Sequence, residues 1–301
     1  MSTTTGTARA GTLADVVDVL AGRRVAVLTG AGISTDSGIP DYRGPDSPPR
    51  RPMTYQQFVG DEAFRRHYWA RNHVGWRHVH RTTPNGGHRA LAELEARGVV
   101  VGVVTQNVDL LHQAAGSRDV IDLHGRYDRV VCLRCGHVVP RAALADRLEA
   151  LNPGFVERAG VVADVEIAPD ADAVVEQTAD FRVQACWAPG DDGPCGGVLK
   201  PDIVYFGENV PSERVARAFA LVDEADALLV AGSSLTVLSG RRFVRHAAHS
   251  GRPVVVVNRG TTRGDRYATV TLDAGTTPTL TALAASLPSP PRARSSSTER
   301  G

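Results

Sequence analysis

At 301 residues the chain is long enough to bury a sizeable core, as one large domain or as two smaller lobes. Its 34 basic and 33 acidic side chains nearly cancel, which leaves no electrostatic footprint for direct nucleic-acid binding or for an anionic membrane surface. No apolar run approaches the ~20 residues of a membrane span, and four cysteines with no export-type leader point to metal or redox chemistry rather than a disulfide scaffold. Residues 1–11, rich in Ser, Thr and Gly, carry no signal-peptide-like stretch and read as a disordered tail, so the expected compartment is the cytoplasm. Residues 12–21 (TLADVVDVLA) place apolar side chains three and four apart behind a capping-type Thr12, which predicts a helix. Residues 24–28 (RVAVL) then read as a short buried strand that stops at a glycine-rich turn.

That turn is TGAGISTDSGIPDYRG, residues 29–44. Gly30 and Gly32 lack a Cβ, so the backbone can turn sharply and approach a ligand. A strand running into glycines is also the layout of a dinucleotide site. Spacing alone leaves a ligand-free tight turn open. A dehydrogenase would close its unit within about 30 residues and place an acid on the ribose about 20 residues on. Here the chain instead runs into a long proline-rich loop, the kind that usually has a function. In it Asp41 offers an acceptor, Tyr42 an aromatic face and Arg43 a cation suited to phosphate. Together Gly30, Ala31, Gly32, Asp41, Tyr42 and Arg43, in the pattern GAGIS-x(3)-GIPD-Y-R, closely resemble the NAD-binding loop of the sirtuins, the NAD-dependent protein deacylases.

Residues 55–81 read as a helical lobe whose Phe58, Phe64, Tyr68, Trp69, Val74 and Trp76 are either core or ligand contacts. The run YWARN followed by VGW resembles the class II branch of sirtuins. If this lobe folds over the site as in that family, Arg71 could meet an acidic acyl group; a solvated or loop-supporting role is the alternative. Asn85 caps a predicted helix to Arg97, ended by Gly98, and residues 99–104 form a second strand. Gln106, Asn107, Val108 and Asp109 follow at the strand's carboxyl end, where open α/β sheets bind ligands, although an Asn or Asp there can equally cap the next helix. They match the sirtuin TQN-x-D motif. The resemblance implies that Gln106 and Asn107 contact the nicotinamide ribose and that Asp109 holds the carboxamide.

A third strand, residues 120–123, ends in His124-Gly125. His124 stands out among ten histidines because it sits at a strand end just before the cysteines. Neutral imidazole is the natural base near pH 7, and the family's catalytic histidine occupies this position. Cys132-x-x-Cys135 and the pair Cys186 and Cys195 can complete a closed, structural four-thiolate zinc site holding together a small module with no core of its own. Eight residues separate the second pair where sirtuins usually show two, with Gly and Pro making the longer loop feasible and His137 as a reserve ligand. Residues 152–180 are acidic and irregular, and resemble the variable insert of the family.

The segment 199–208 rejoins the larger lobe. By resemblance it walls a cleft where a substrate peptide adds as a strand, through Val204, Phe206, Gly207 and Glu208. Val204 and Phe206 share a side, and would line an acyl-lysine channel or simply be buried. A helix at 212–224 and a strand at 227–231 lead to Gly232, Ser233 and Ser234. A helix to about 250 and a strand at 253–257 deliver Asn258, Arg259 and Gly260. Both turns match the family's contacts to the adenosine half of NAD. Residues 288–301, low in apolar side chains, read as a second disordered tail.

Alternating strands and helices predict an α/β fold, a Rossmann-like parallel sheet with an inserted small lobe. The expected catalytic domain spans 12–287, with the larger lobe at about 12–45, 85–125 and 206–287, and the helical and zinc-binding lobe at about 46–84 and 126–205. The resemblance implies an enzyme that consumes NAD and takes acylated-lysine proteins as partners. The acyl-lysine carbonyl oxygen attacks the carbon bearing nicotinamide, and His124 then deprotonates a ribose hydroxyl so that the acyl group moves to ADP-ribose. Protein mono-ADP-ribosylation, removal of acidic or long acyl chains, and an NAD-sensing module without turnover are the alternatives.

Overall fold

The computed structural model describes residues 9–41, 52–158 and 178–289; Tyr42, Arg43, the rest of the proline-rich loop and residues 159–177 lie outside them. In chain order the strands are β1 (Arg9–Ala10), β2 (Val25–Thr29), β3 (Val100–Thr105), β4 (Val120–Asp122), β5 (Gly125–Cys132), β6 (Val138–Pro140), β7 (Pro189–Gly190), β8 (Gly193–Pro194), β9 (Leu199–Ile203), β10 (Ala227–Ala231), β11 (Val254–Asn258) and β12 (Val270–Asp273).

Seven of these form a parallel sheet in the order β1-β12-β11-β10-β2-β3-β4. Every residue of β2 and β10 is buried, as a central parallel strand covered on both faces requires. Helices Leu13–Leu20, Gly86–Ala96 and Thr276–Ser286 cover one face through Val16, Leu91 and Leu280. Helices Ser212–Glu224 and Leu238–His249 cover the other through Leu221 and Phe243. From β2 the chain builds outward to β3 and β4, then returns to the other side of β2 with β10 and builds outward through β11 to β12. The order therefore reverses between β2 and β10, where parallel sheets open a crevice at the strands' carboxyl ends.

A second unit is antiparallel, in the order β6-β5-β9, with β7 and β8 as a separate two-stranded ribbon. Helices Tyr55–Gly60 and Glu62–Val79 pack on it. Phe58, Tyr68 and Trp69 share an apolar cluster with Val130, Leu144, Leu199 and Tyr205, which corrects the expectation of a module without a core. The aromatics of the helical segment are core, with Phe64 the exception at 41% exposure. Arg141, fully buried, bonds Asn72 Oδ1 through Nε at 3.1 Å and stands over the rings of Trp69 and Trp76, so ring faces and an amide replace water around the cation.

Most predicted elements occur within a residue or two. The predicted strands at 24–28 and 99–104 begin and end one residue later, because the backbone ladder continues past the last apolar side chain to pair Thr29 with Thr105. Residues 9–10, expected in the disordered tail, pair with Val270 and Thr271. Strand β12 and helix Thr276–Ser286 answer to no expectation from the sequence. Threonine is a poor helix former, and this helix is held through Leu280 and Leu283 in the core. No helix among the described residues is long and apolar enough to cross a membrane.

Candidate active site

The crevice at the strand-order reversal is a cavity of about 570 Å³, lined by the loops that follow β2, β3, β10 and β11 and by residues 203–210, which lead from β9 back to the parallel sheet. The loops after β2 and β10 interlock: Gly32 N–H donates to Gly232 O at 2.9 Å. A Cβ on Gly30 or Gly32 would come within 2.8 or 2.9 Å of that same carbonyl oxygen. These glycines are thus required first for the approach of one protein loop to another, and only then for a ligand.

After β3 the polar side chains form one network. Gln106 Nε2 donates to Ser233 Oγ at 2.7 Å, and Asn107 Nδ2 donates to Gly30 O and Ser34 Oγ, each at 3.1 Å. Ser34 Oγ donates to Asp109 Oδ2 at 2.7 Å, and Leu111 N–H donates to Asp109 Oδ1 at 3.0 Å. Burial pushes the Asp109 carboxyl above the usual carboxylate range, against the pull of those hydrogen bonds. The next residue, Leu110, has φ 64°, and Leu235, after Gly232-Ser233-Ser234, has φ 53°. Left-handed backbone in a branched residue is strained, and strain of this kind gathers at ligand sites.

His124 sits where β4 hands over to β5. Its Nδ1 lies 3.0 Å from the carbonyl oxygen of Gln106, which can only accept, so Nδ1 carries the proton. Nε2 is then the lone pair, and Ser239 Oγ donates to it at 2.7 Å. Burial, aided by the charges of Arg214 and Arg242, holds the imidazole at about 4, while the bond to Gln106 opposes this. At neutral pH the ring is uncharged and able to accept a proton.

The four cysteines meet, with all Sγ atoms within 4.8 Å of one another. Cys132 and Cys195 are 3.7 Å apart and Cys135 and Cys186 3.8 Å, close to the ~3.8 Å edge of a tetrahedron of thiolates ~2.3 Å from zinc. The residues therefore fit the metal. The eight-residue spacing is absorbed by the β7–β8 ribbon, which brings Cys195 N–H to Ala188 O at 2.8 Å. His137 is not among the clustered ligands.

Val204 is half-buried and Phe206 is 38% exposed; both line the cavity, as does Tyr205 between them, although most of its surface is buried in the core. Gly207 and Glu208 continue the wall, but the Glu208 carboxylate is engaged by Lys200 Nζ at 3.0 Å and Tyr205 N–H at 2.9 Å. Asn258 and Arg259 line the far end; Gly260 does not, and instead its N–H bonds Asp273 at 3.0 Å. Ala31, Asp41 and Val108 also face the cavity. Arg71 is not among the described lining residues, and its Nη1 lies 3.2 Å from His67 Nε2. Ser34 stood in the quoted motif without a role, and its hydroxyl was the signal. Ser239 and Arg242 had none, being more than a hundred residues from His124.

Behind the site His88 and His112 meet edge to face at 4.9 Å, and His112 Nε2 lies 2.9 Å from Thr29 Oγ1. Burial lowers His88 to about 4 and His112 well below its ordinary 6.5. Both take up a proton on unfolding at pH values below about 6.5. Their contribution is therefore complete above that pH and is lost as the pH falls toward 4, by up to ~1.4 kcal/mol per unit for each. Asp109 and Asp122, with raised values, give the opposite slope nearer the carboxylate range. The melting temperature is expected to fall steadily between pH 6.5 and 5; a flat profile there would contradict the buried neutral pair.

Residues 30–239 match the model of the Sir2 family. The chain is 66% identical over 270 residues to NAD-dependent protein deacetylase 1 of Mycobacterium avium (strain 104), covering 90% of this chain and 94% of that one. It is similar to a crystal structure of a Sir2 homolog–NAD complex, with a TM-score of 0.68, 28% identity, and 92% and 94% of the two chains covered. It is similar also to a Sir2–p53 peptide–NAD+ structure, with a TM-score of 0.63, 30% identity, and 90% and 96% covered.

Proposed function

The chain belongs to the Sir2 family, and on that premise we propose that it is an NAD-dependent protein lysine deacetylase. It moves the acyl group of an acylated lysine to ADP-ribose and releases nicotinamide and free lysine. The observation that carries the reading is the Nε2 lone pair of His124, in one cavity with Asn107, Asp109 and Ser34. A protein that only binds NAD needs no base at that place.

When bound, NAD supplies a ribose carbon bearing a leaving group and the hydroxyl that receives the acyl group. With Gly30, Gly32 and Gly232 N–H donated to protein carbonyls, the turns offer the N–H groups of Ala31, Ser233 and Ser234 and the serine hydroxyls to its phosphates and ribose, with Asn258 and Arg259 at the adenosine end. Gln106 and Asn107 orient the nicotinamide ribose. Asp109, fixed by Ser34 and the Leu111 N–H, holds the carboxamide. Val204 and Phe206 flank the acyl-lysine stem, and His124 Nε2 takes the proton of the ribose hydroxyl that accepts the acyl group. Cys132, Cys135, Cys186 and Cys195 would hold one zinc through four thiolates, a full ligand set that leaves no place for water or substrate, so the metal would serve the fold. Acylated proteins of the cytoplasm are the partners, and the catalytic unit is the two-lobed span 12–287.

The reading is tested by nicotinamide release with and without an acetyl-lysine peptide. Release that requires the peptide supports it; release at one rate in both cases, or none in either, overturns it.

A further inference from the structure

Arg242 lines the cavity beside the base, and nothing in the reaction above uses it. It lies on helix Leu238–His249 one turn after Ser239, whose Oγ donates to His124 Nε2 at 2.7 Å. Residues three apart share a helix face, so Arg242 is displaced from Ser239 by only about 4.5 Å along the axis. It is half-buried, and no carboxylate among the described residues pairs with it. Of the acidic groups on the described wall, Asp109 is committed to Ser34 and Leu111 and Glu208 to Lys200, and Asp41, at the end of the described part of the loop after β2, has a partner of its own. Arg214, the other cation near His124, donates to Leu123 O at 3.4 Å. Arg259, the other arginine among the described lining residues, follows β11, four strands away from β4 and His124. A half-desolvated guanidinium in the wall of a substrate cavity is a fork for a carboxylate.

We propose that Arg242 selects substrates by a carboxylate held next to the reacting lysine. This rests on the deacylase reading of the cavity. Two sources carry that chemistry: the free end of a dicarboxylic acyl chain on the lysine, or an acidic side chain flanking the lysine in the peptide. Arg71, whose Nη1 lies 3.2 Å from His67 Nε2, is not among the described residues of that wall.

Equilibrium binding to three fluorescent peptides of one sequence tests this: acetyl-lysine in a neutral context, glutaryl-lysine in the same context, and acetyl-lysine flanked by aspartate. Wild type, Arg242→Gln and Arg242→Lys are compared by the ratio of Kd values within each protein. Arg242→Gln is expected to erase about a 10- to 100-fold preference for a carboxylate-bearing peptide, with Arg242→Lys retaining part of it. A ratio that falls only for the glutaryl peptide places the carboxylate on the acyl chain; one that falls only for the aspartate peptide places it on the flank. Ratios unmoved by Arg242→Gln for both peptides overturn the proposal, including the case where the variant merely weakens NAD binding. Binding is read rather than turnover, so failed catalysis counts against the deacetylase reading alone.

Discussion

Replacing His124 by alanine is expected to lower deacylation by roughly 10²-fold or more, the usual scale for a general base, while leaving fold and NAD binding in place. The imidazole's two partners are a carbonyl oxygen and the hydroxyl of Ser239, both at the edge of an open cavity, where water can take over their hydrogen bonds. The apolar clusters of the sheet do not include it. What is lost is the Nε2 lone pair, and with it the group able to accept a ribose proton at neutral pH. The variant is to be compared with wild type in peptide turnover, NAD affinity and melting temperature. Near-normal turnover with intact binding would remove His124 from the reaction.

Removing one thiolate, as in Cys135→Ser, is expected to have the largest effect on stability. Cys132 and Cys186 are buried within the aromatic cluster of the smaller unit, whereas Cys135 is exposed, so the metal ties surface turns to the core. Left without metal, the remaining thiolates would repel or protonate in a half-apolar setting, and the β7–β8 ribbon would lose its anchor. Structural zinc contributes 10 kcal/mol or more to peptides that fold only around it. Here the unit has a core, so a loss on the order of 5 kcal/mol, or about 10 to 20 °C in Tm, is expected. Metal analysis should return one zinc per chain in wild type. Protein purified without chelator that contains no zinc and is fully active would contradict the assignment.

The parts of the site that lie at strand ends were legible in the sequence. Gly30, Gln106, His124, Gly232 and Asn258 each follow a short apolar run, and parallel strands deliver such positions to one edge. What could not be read is proximity produced by the order of strands. Ser239 reaches His124 because β10 returns beside β2, and no local pattern announces that. In the sequence Gly30 and Gly32 suggest room for a ligand, whereas their nearest obstacle is the carbonyl of Gly232, a neighbour supplied by the far half of the chain. Aromatic density at 58–76 signalled burial correctly, but the surface it would pack on was invisible until β5 and β9 paired. Helix Thr276–Ser286 was missed because its stability comes from packing and not from its threonines.

The destination of the acyl group separates deacylation from ADP-ribosylation and from simple hydrolysis. The protein should be given NAD and a peptide carrying isotopically labelled acetyl-lysine, and the products weighed and counted. One nicotinamide for each free lysine, with the label on ADP-ribose, is the expected result. Label released as free acetate with NAD intact, or ADP-ribose attached to the peptide with the acetyl group still on lysine, would contradict it.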